Sequence, residues 1–449
     1  MLRMFFRRIR PGQLIVLVFL GIILLGAGLL CLPAAAWSGR PTPFLTSLFT
    51  ATSATCVTGL IRVDTGTHWT MFGQVVILLL IQVGGLGFMT IACLFFFALR
   101  RRIGLRQRMV LAQALGSDTY SGIVSLVRNI LRGTAAVEGV GALILFFRFL
   151  PEFGFGRALW YGVFHSVSAF CNAGFDVLAD VDAGGSLCRY ATDPVVNFTI
   201  MALIIIGGLG FAVWGDIRHH RRFSRLSVYS RLVVIITTVL IFGGAGVFAA
   251  LEWNNPNTIG DLTVPQKLMA ALFQSVTLRT AGFATFDQNA LSDVSKAASD
   301  LLMLVGGSSG STAGGVKTAT VGVILLSAWS TARGRTSVHV MKRRIPRQAV
   351  ENASALFILV LLLSGLGAAF LSIADHVSLE NALYETISAL CTVGLTTGIT
   401  SSLGTASQII LIVLMFFGRL GIMTISVGFM AANRAEERVS YAETKIMIG

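Results

Sequence analysis

Charge is what this sequence has least of. Only 12% of its 449 residues are Asp, Glu, Lys or Arg, against roughly 25% in an ordinary soluble chain. Acids are scarcer than bases, 21 against 35. The six cysteines form no CxxC pair, and Cys56, Cys171 and Cys391 sit at matching places in short loops of small residues. They read as small buried side chains rather than disulfides or metal ligands. No His-Glu-x-x-His run, nucleophile–base arrangement or ligand cluster is present, which argues against a membrane enzyme. No low-complexity linker or appended soluble domain interrupts the chain. The formal charge of +14 raises the question of nucleic acid, but the basic residues fall in short clusters between apolar runs. We expect no nucleic-acid partner.

What the sequence does have is apolar length. It is 54% hydrophobic, with a mean hydropathy of +0.78. Its 48 glycines suit close packing of membrane helices. The chain reads as an all-α integral membrane protein with membrane lipid around it. Residues 1–12 carry Arg3, Arg7, Arg8 and Arg10, and residues 14–32 are an uninterrupted apolar run of 19. The following Pro33-Ala34-Ala35-Ala36 imitates a signal cleavage site. The run exceeds the roughly 7–15 residues of a signal core and is long enough to span, so a retained first helix is expected.

One short stretch occurs four times. It is Thr52-Ser53-Ala54-Thr55-Cys56-Val57-Thr58-Gly59-Leu60, then Ser166-Val167-Ser168-Ala169-Phe170-Cys171-Asn172-Ala173-Gly174-Phe175. The third copy is Gln274-Ser275-Val276-Thr277-Leu278-Arg279-Thr280-Ala281-Gly282-Phe283, and the fourth is Thr386-Ile387-Ser388-Ala389-Leu390-Cys391-Thr392-Val393-Gly394-Leu395. Their glycines lie 115, 108 and 112 residues apart. Repeats of this kind decide the architecture. Each copy follows a short apolar segment (43–54, 157–170, 264–278, 378–390) and lies between two long ones. The first long segments are 14–32, 123–150, 228–251 and 348–373; the second are 72–99, 195–214, 296–329 and 406–432. The plan is four tandem units, at 13–110, 111–218, 219–335 and 336–432, with eight spans and four re-entrant short helices about one pseudo-four-fold pore. Residues 1–12 and a tail at 433–449 flank them. Irregular backbone at membrane depth is tolerated only beside protein or a water-filled cavity, so four such loops predict a cavity.

Basic residues set the orientation. Residues 1–12, 100–132, 216–231, 333–347 and 433–449 hold 25 of the 35. All fall on one side in the four-unit plan, so both termini are expected in the cytoplasm of a multi-pass plasma-membrane protein. The opposite loops carry Glu152, Asp176, Asp180, Asp182, Asp193, Asp287, Asp293 and Asp375. Most of these read as solvated loop charges, and together they can concentrate cations near the glycine loops.

A dehydrated cation needs oxygen ligands, and backbone carbonyls supply them without fixed charge. Glycine allows the dihedrals that turn successive carbonyls to one axis. The short helices would aim their partially negative C-termini at the same place. The second spans share a further mark, since Gly84-Gly85, Gly207-Gly208 and Gly306-Gly307 align with Gly418-Arg419. Arg419 thus replaces a glycine halfway down a pore-side helix. A charge there is costly and usually faces a cavity; it is read as a barrier or latch, against a role in capping carbonyls. Residues 306–320 contain five glycines and three serines, so the third unit's second span should break into a loop below the glycines. Gly315-Val316-Lys317-Thr318 imitates the end of a phosphate loop, but a valine separates glycine from lysine and no strand precedes it. His165 and Glu385 read as satisfied structural groups, and Glu138 and Arg148 as residues that pair across helices.

These features together resemble the superfamily of potassium transporters called Trk, Ktr and HKT. The runs 54–60, Ile81-Gln82-Val83-Gly84-Gly85-Leu86-Gly87-Phe88-Met89-Thr90 and 306–315 most resemble its KtrB-type membrane subunits. The resemblance covers essentially the whole chain and implies passive, gated potassium uptake. It implies a selectivity filter of Thr55, Cys56, Val57, Thr58 and Gly59; Cys171, Asn172, Ala173 and Gly174; Arg279, Thr280, Ala281 and Gly282; Cys391, Thr392, Val393 and Gly394. K+ would sit on the carbonyls of Val57, Thr58, Asn172, Ala173, Thr280, Ala281, Thr392 and Val393. The gate would be Gly306, Gly307, Ser308, Ser309, Gly310, Ser311, Thr312, Ala313, Gly314, Gly315, Lys317 and Arg419. The family further implies Na+ activation, a homodimer, and a cytosolic nucleotide-binding ring of KtrA type through which alone nucleotide acts. The second and third loops depart from the threonine–valine–glycine pattern of tetrameric potassium channels. The rival reading is a sodium- or proton-coupled symporter, which intramembrane carboxylates would favour; these helices have few.

Overall fold

The computed structural model describes residues 11–87, 123–178, 185–335 and 337–421. It is helical almost throughout. The first unit has α1 (Pro11–Leu30), α2 (Phe44–Cys56), the single turn α3 (Thr65–His68) and α4 (Met71–Leu86). In the second, α5 (Ile123–Phe170) is followed by α6 (Pro194–Leu209) and α7 (Phe211–His220). The third has α8 (Val228–Glu252), α9 (Val264–Thr277), α10 (Asp293–Met303) and α11 (Thr318–Ala332). A two-residue hairpin, β1 (His339–Val340) with β2 (Arg343–Arg344), leads to α12 (Arg347–Asp375), α13 (Leu379–Leu390) and α14 (Thr405–Leu420).

Local chemistry starts these helices where the apolar runs begin. The Thr70 side chain accepts from Gly73 N at 3.4 Å ahead of α4. Asp193 accepts from Val195 N and Val196 N at 2.9 and 3.1 Å ahead of α6, with Pro194 in the first helical position. Ser227, Ser292 and Ser378 cap α8, α10 and α13 in the same way. Each such cap contributes about 1 kcal/mol. Among the described residues α8, α12 and the part of α5 from Val127 are long and apolar enough to cross a membrane alone. The pair α6–α7 passes the same test together but is bent by 93°. Among the described residues Cys31, Cys56, Cys171, Cys188 and Cys391 form no disulfide.

The structure differs from the sequence expectation in detail. The segments 123–150 and 157–170 are two helices within α5, as expected, but they meet at a sharp break at Gly154, whose φ is 70°, rather than through a longer loop; Pro151 lies just before it. The second span of unit two stops at Leu209, because Gly210 takes φ 90° and turns the chain. The first and fourth units stop at the same point, at Gly87 (φ 77°) and Gly421 (φ 82°); residues 88–99 and 422–432 lie outside the described residues. The break expected within 306–320 is present, with α10 ending at Met303 and helix resuming at Thr318.

The short helices are buried on nearly every residue from Thr46 in α2 and from Tyr384 in α13. What lets them sit so deep is a set of glycines on the second-span helices. A Cβ built on Gly84 would stand 1.9 Å from the Thr55 carbonyl oxygen. On Gly207 it would stand 2.0 Å from Phe170 O, and on Gly418 1.8 Å from Leu390 O. Those three carbonyls each lie four residues before a repeated-loop glycine. In the third unit the place is taken by the chain's own loop, with Gly306 facing Gly314 O at 2.1 Å. Gly84→Ala, Gly207→Ala and Gly418→Ala should each destabilise the protein by about 1–3 kcal/mol, because backbone cannot yield as a side chain can. Gly21→Ala, with nothing within 4 Å, should not destabilise it. Thermal midpoints of the four variants in detergent check this; equal midpoints would mean that the helices slide apart freely.

Candidate functional site

The four repeated loops meet. Each short helix hands over to a residue in the left-handed region and, two residues on, to a glycine with positive φ. The first members are Val57 (57°), Asn172 (59°), Thr280 (66°) and Thr392 (53°); the second are Gly59 (99°), Gly174 (68°), Gly282 (80°) and Gly394 (91°). A Cβ on Gly59 would lie 2.5 Å from Ala173 O, one on Gly174 2.8 Å from Ala281 O, and one on Gly282 2.6 Å from Val393 O. One on Gly394 would lie 2.0 Å from Thr58 O, which closes the circle. Four glycines therefore face one another, each against the carbonyl preceding the next. Only glycine combines that approach with those dihedrals.

The loops are fixed from behind. Ser53 Oγ accepts from Gly59 N at 3.1 Å, and Ser388 Oγ from Gly394 N at 3.0 Å. Ser168 and Ser388 donate to Phe175 O and Leu395 O, both at 2.7 Å. In the third unit Thr277 Oγ1 donates to Phe283 O at 2.6 Å. The hydroxyls of Thr55, Thr58, Thr280 and Thr392 are buried without side-chain partners among the described residues. The side chains thus hold the loop backbone from behind.

The other polar residues singled out in the sequence surround this ring. Glu138 accepts from Gln82 Nε2 at 3.1 and 3.2 Å, and the Cys171 thiol lies 3.9 Å from the same carboxylate. Arg148 pairs with Asp193 and, at 2.9 Å, with Glu152. Both residues therefore pair as expected. Glu385 is buried in α13 and accepts from Thr396, Thr397 N and Thr400, at 3.2 and 2.9 Å for the last two; it ties down the strand that leaves the fourth loop. His165 Nδ1 lies 2.7 Å from Tyr161 O inside a cage that includes Phe149 and Phe283. Glu385 is satisfied, as read; His165 is held at Nδ1 only, and its Nε2 is buried without a partner among the described residues.

Below the ring lies the loop 304–317. Ser308 N donates to Gly208 O at 3.0 Å, and Phe211 N to Gly310 O at 3.0 Å. Thr312 Oγ1 donates to Phe170 O at 2.9 Å. A Cβ on Gly314 would lie 1.8 Å from Thr392 Oγ1. The loop thus touches the undersides of the second and fourth repeated loops. Lys317 Nζ donates to Ala313 O at 2.7 Å and folds the loop on itself. Arg419 donates to Thr312 O, and also to Gly84 O and Gly85 O. It joins the third unit's loop to the first unit's helix from a position in the fourth. Arg279, although inside a repeated loop, turns its guanidinium down toward Gly306 O and Thr318 Oγ1, both at 3.5 Å.

Sequence reasoning missed the helix-ending glycines Gly87, Gly210 and Gly421, which take positive φ. The signal was present: Gly84-Gly85-Leu86-Gly87, Gly207-Gly208-Leu209-Gly210 and Gly418-Arg419-Leu420-Gly421 share a leucine and a final glycine.

The chain is similar to proteins already known. The TrkH family, described as cation transport protein, matches residues 24–437. The chain is 40% identical to the potassium/sodium uptake protein NtpJ of Enterococcus hirae, over 99% of this chain and 98% of that one. It is 39% identical to the Ktr system potassium uptake protein B of Bacillus subtilis, over 98% of this chain and 97% of that one. Among solved structures, the potassium transporter TrkH of Vibrio parahaemolyticus superposes with a TM-score of 0.73 at 17% identity. That match covers 93% of this chain and 84% of the other, and it speaks to fold.

One loop carboxylate has an unusual setting. Asp176, two residues beyond Gly174, is 8% exposed, and its Oδ1 has no partner among the described residues. Burial, and secondarily the charge of Asp64, push its pKa up to about 7. The folded form then keeps a proton that the unfolded chain releases above its ordinary value near 3.8. Stability falls as pH rises between these two values. Asp176→Asn should raise the thermal midpoint above about pH 7 and flatten its pH dependence below that. A lower midpoint in the variant at high pH would show the ionised carboxylate to be stabilising instead.

Proposed function

Because this chain belongs to the TrkH family of cation transport proteins, we propose that it is the pore-forming subunit of a potassium uptake system in the bacterial plasma membrane, passive and gated. The observation that carries this reading is the closed circle of Gly59, Gly174, Gly282 and Gly394 against the carbonyls of Ala173, Ala281, Val393 and Thr58. A dehydrated K+ on the axis would exchange its water for these oxygens and for those of Val57, Asn172, Thr280 and Thr392. Neutral ligands bind it firmly enough to enter and weakly enough to leave. The names of the relatives, which specify potassium or potassium/sodium uptake, support K+ as the cargo and Na+ as an activator or competitor.

The loop 304–317 is the gate, and Arg419 its latch. The guanidinium bonds to Thr312 O, Gly84 O and Gly85 O support this: they hold the loop across the path and set a positive charge there. The loop has few apolar anchors and many glycines, so it can withdraw at modest cost. The positive-inside rule puts the basic hairpin between α11 and α12 on the cytoplasmic side. With the adjoining basic loops it offers a docking surface for a KtrA-type nucleotide-binding ring, and the relatives' designation as part of a Ktr system fits such a partner. A homodimer completes the assembly. Coupled symport is the weaker reading, because Glu138 and Glu385 are engaged by protein donors.

Two measurements test the proposal, both rubidium and sodium uptake by cells lacking their own potassium uptake systems. Gly59→Ser places a side chain against Ala173 O and should reduce rubidium uptake or yield it to sodium; unchanged selectivity in well-expressed protein would remove the filter from these loops. Deleting residues 308–315, or Arg419→Ala, should raise rubidium flux, and flux at or below wild type with normal expression would refute the gate.

A further inference from the structure

A groove opens on the outside of the helix bundle between α6 and α8, with α9 at its back. Its volume is about 450 Å³. Ala202 and Ile205 of α6, Ile217 of α7, Val234 and Thr238 of α8, and Val276 of α9 line it. A small cavity sharing Ile205 and Val276 continues inward to Asn172, Arg279 and Gly307. The groove exists because α7 turns away from α6 by 93° at Gly210. A straight helix would have continued alongside α8.

The two ends of the groove differ in character. Its inner end is apolar. Its other end, at Ile217, is followed by Arg218, Arg221, Arg222 and Arg225, all exposed and none in an ion pair among the described residues. On α8, Arg231 precedes Val234 and Thr238 by three and seven residues and so shares their face. Its Nε is buried without a partner among the described residues. The N-terminus of α8 is already occupied by Asp216, whose Oδ2 accepts from Ser227 N at 2.9 Å, so the arginines alone are left to meet an anion. An apolar slot at membrane depth that ends in unpaired arginines is complementary to an amphiphile with a negative head.

We infer that this groove is a binding site for an anionic glycerophospholipid of the surrounding bilayer, with one acyl chain between α6 and α8 and the phosphate against Arg231 and the arginines of residues 218–225. The seated chain backs the third repeated loop through Val276 and borders the cavity at Gly307. The binding claim is independent of the transport reading, since its readout is lipid and not ion flux.

The test uses the full-length protein reconstituted in phosphatidylcholine vesicles with and without phosphatidylglycerol, then repurified and assayed for retained lipid by mass spectrometry. Wild type should retain phosphatidylglycerol selectively. Arg231→Gln and Arg218→Gln, each removing a charge near the headgroup, should weaken that retention by roughly fivefold apiece. They should leave phosphatidylcholine retention unchanged. Ala202→Trp with Thr238→Trp fills the slot and should abolish retention of both. Equal retention of the two lipids by wild type, or undiminished phosphatidylglycerol in the arginine variants, would overturn the site. So would a tryptophan variant that keeps its lipid but turns from dimer to monomer, which would make the groove a contact between copies of this chain.

Discussion

The constraint on which the structure depends is the approach of four backbones to one another. Gly59, Gly174, Gly282 and Gly394 face across a space that no Cβ can enter. Once that is required, much else follows. The residue two positions earlier turns left-handed in every copy, at Val57, Asn172, Thr280 and Thr392. A β-branched residue such as Val57 or Thr280 strongly disfavours that region. Part of the free energy of packing is therefore held in the loops, and the serine and threonine hydroxyls behind them keep it there.

A second tier of close contacts serves the first. Short helices can end at the ring only if the helices behind them come near, and Gly84, Gly207 and Gly418 permit this against Thr55 O, Phe170 O and Leu390 O. The same helices end three residues later, at Gly87, Gly210 and Gly421, all with positive φ. Glycine serves two purposes along one short motif: absence of a side chain at the first position, and positive φ at the last. The third unit does neither in this way. Its helix ends early, and Gly314 of its own loop takes the position that a carbonyl of the short helix holds elsewhere. The departure from symmetry is thus a substitution of one backbone contact for another, and it leaves the loop inside the circle of helices.

Much of this was legible in the sequence. The four loops were visible because glycine and its small neighbours recur at nearly equal intervals, and only a shared axis makes that recurrence useful. The break in the third unit was visible because five glycines cannot lie in a stable span. Arg419 stood out against aligned glycines. The shortness of the break within α5 was not legible. Pro151 normally ends a helix, and here the two helices meet directly at Gly154. The 93° turn at Gly210 was hidden for the opposite reason: the apolar run continues through it, and hydropathy does not register direction. The partners of Glu138 and Glu385 lie 56 and up to 15 residues away, and no local pattern specifies such pairings.

Arg419 shows how a nearly four-fold structure accommodates one asymmetric element. A charge at this depth is costly unless its donors are met. In a strictly symmetric pore four arginines would face one another with no acceptors between them. Here there is one, and the acceptors come from elsewhere: Thr312 O from the broken third unit, Gly84 O and Gly85 O from the end of a helix in the first. Each supplies what the other lacks. The loop has carbonyls that no helix satisfies, and the arginine has five N–H donors in a rigid fork. Lysine could not replace it on equal terms, because a point charge with three donors does not span two separate backbones in one plane. The asymmetry of the third unit and the arginine of the fourth are therefore a single feature, and a change that releases either one leaves unsatisfied groups on the other.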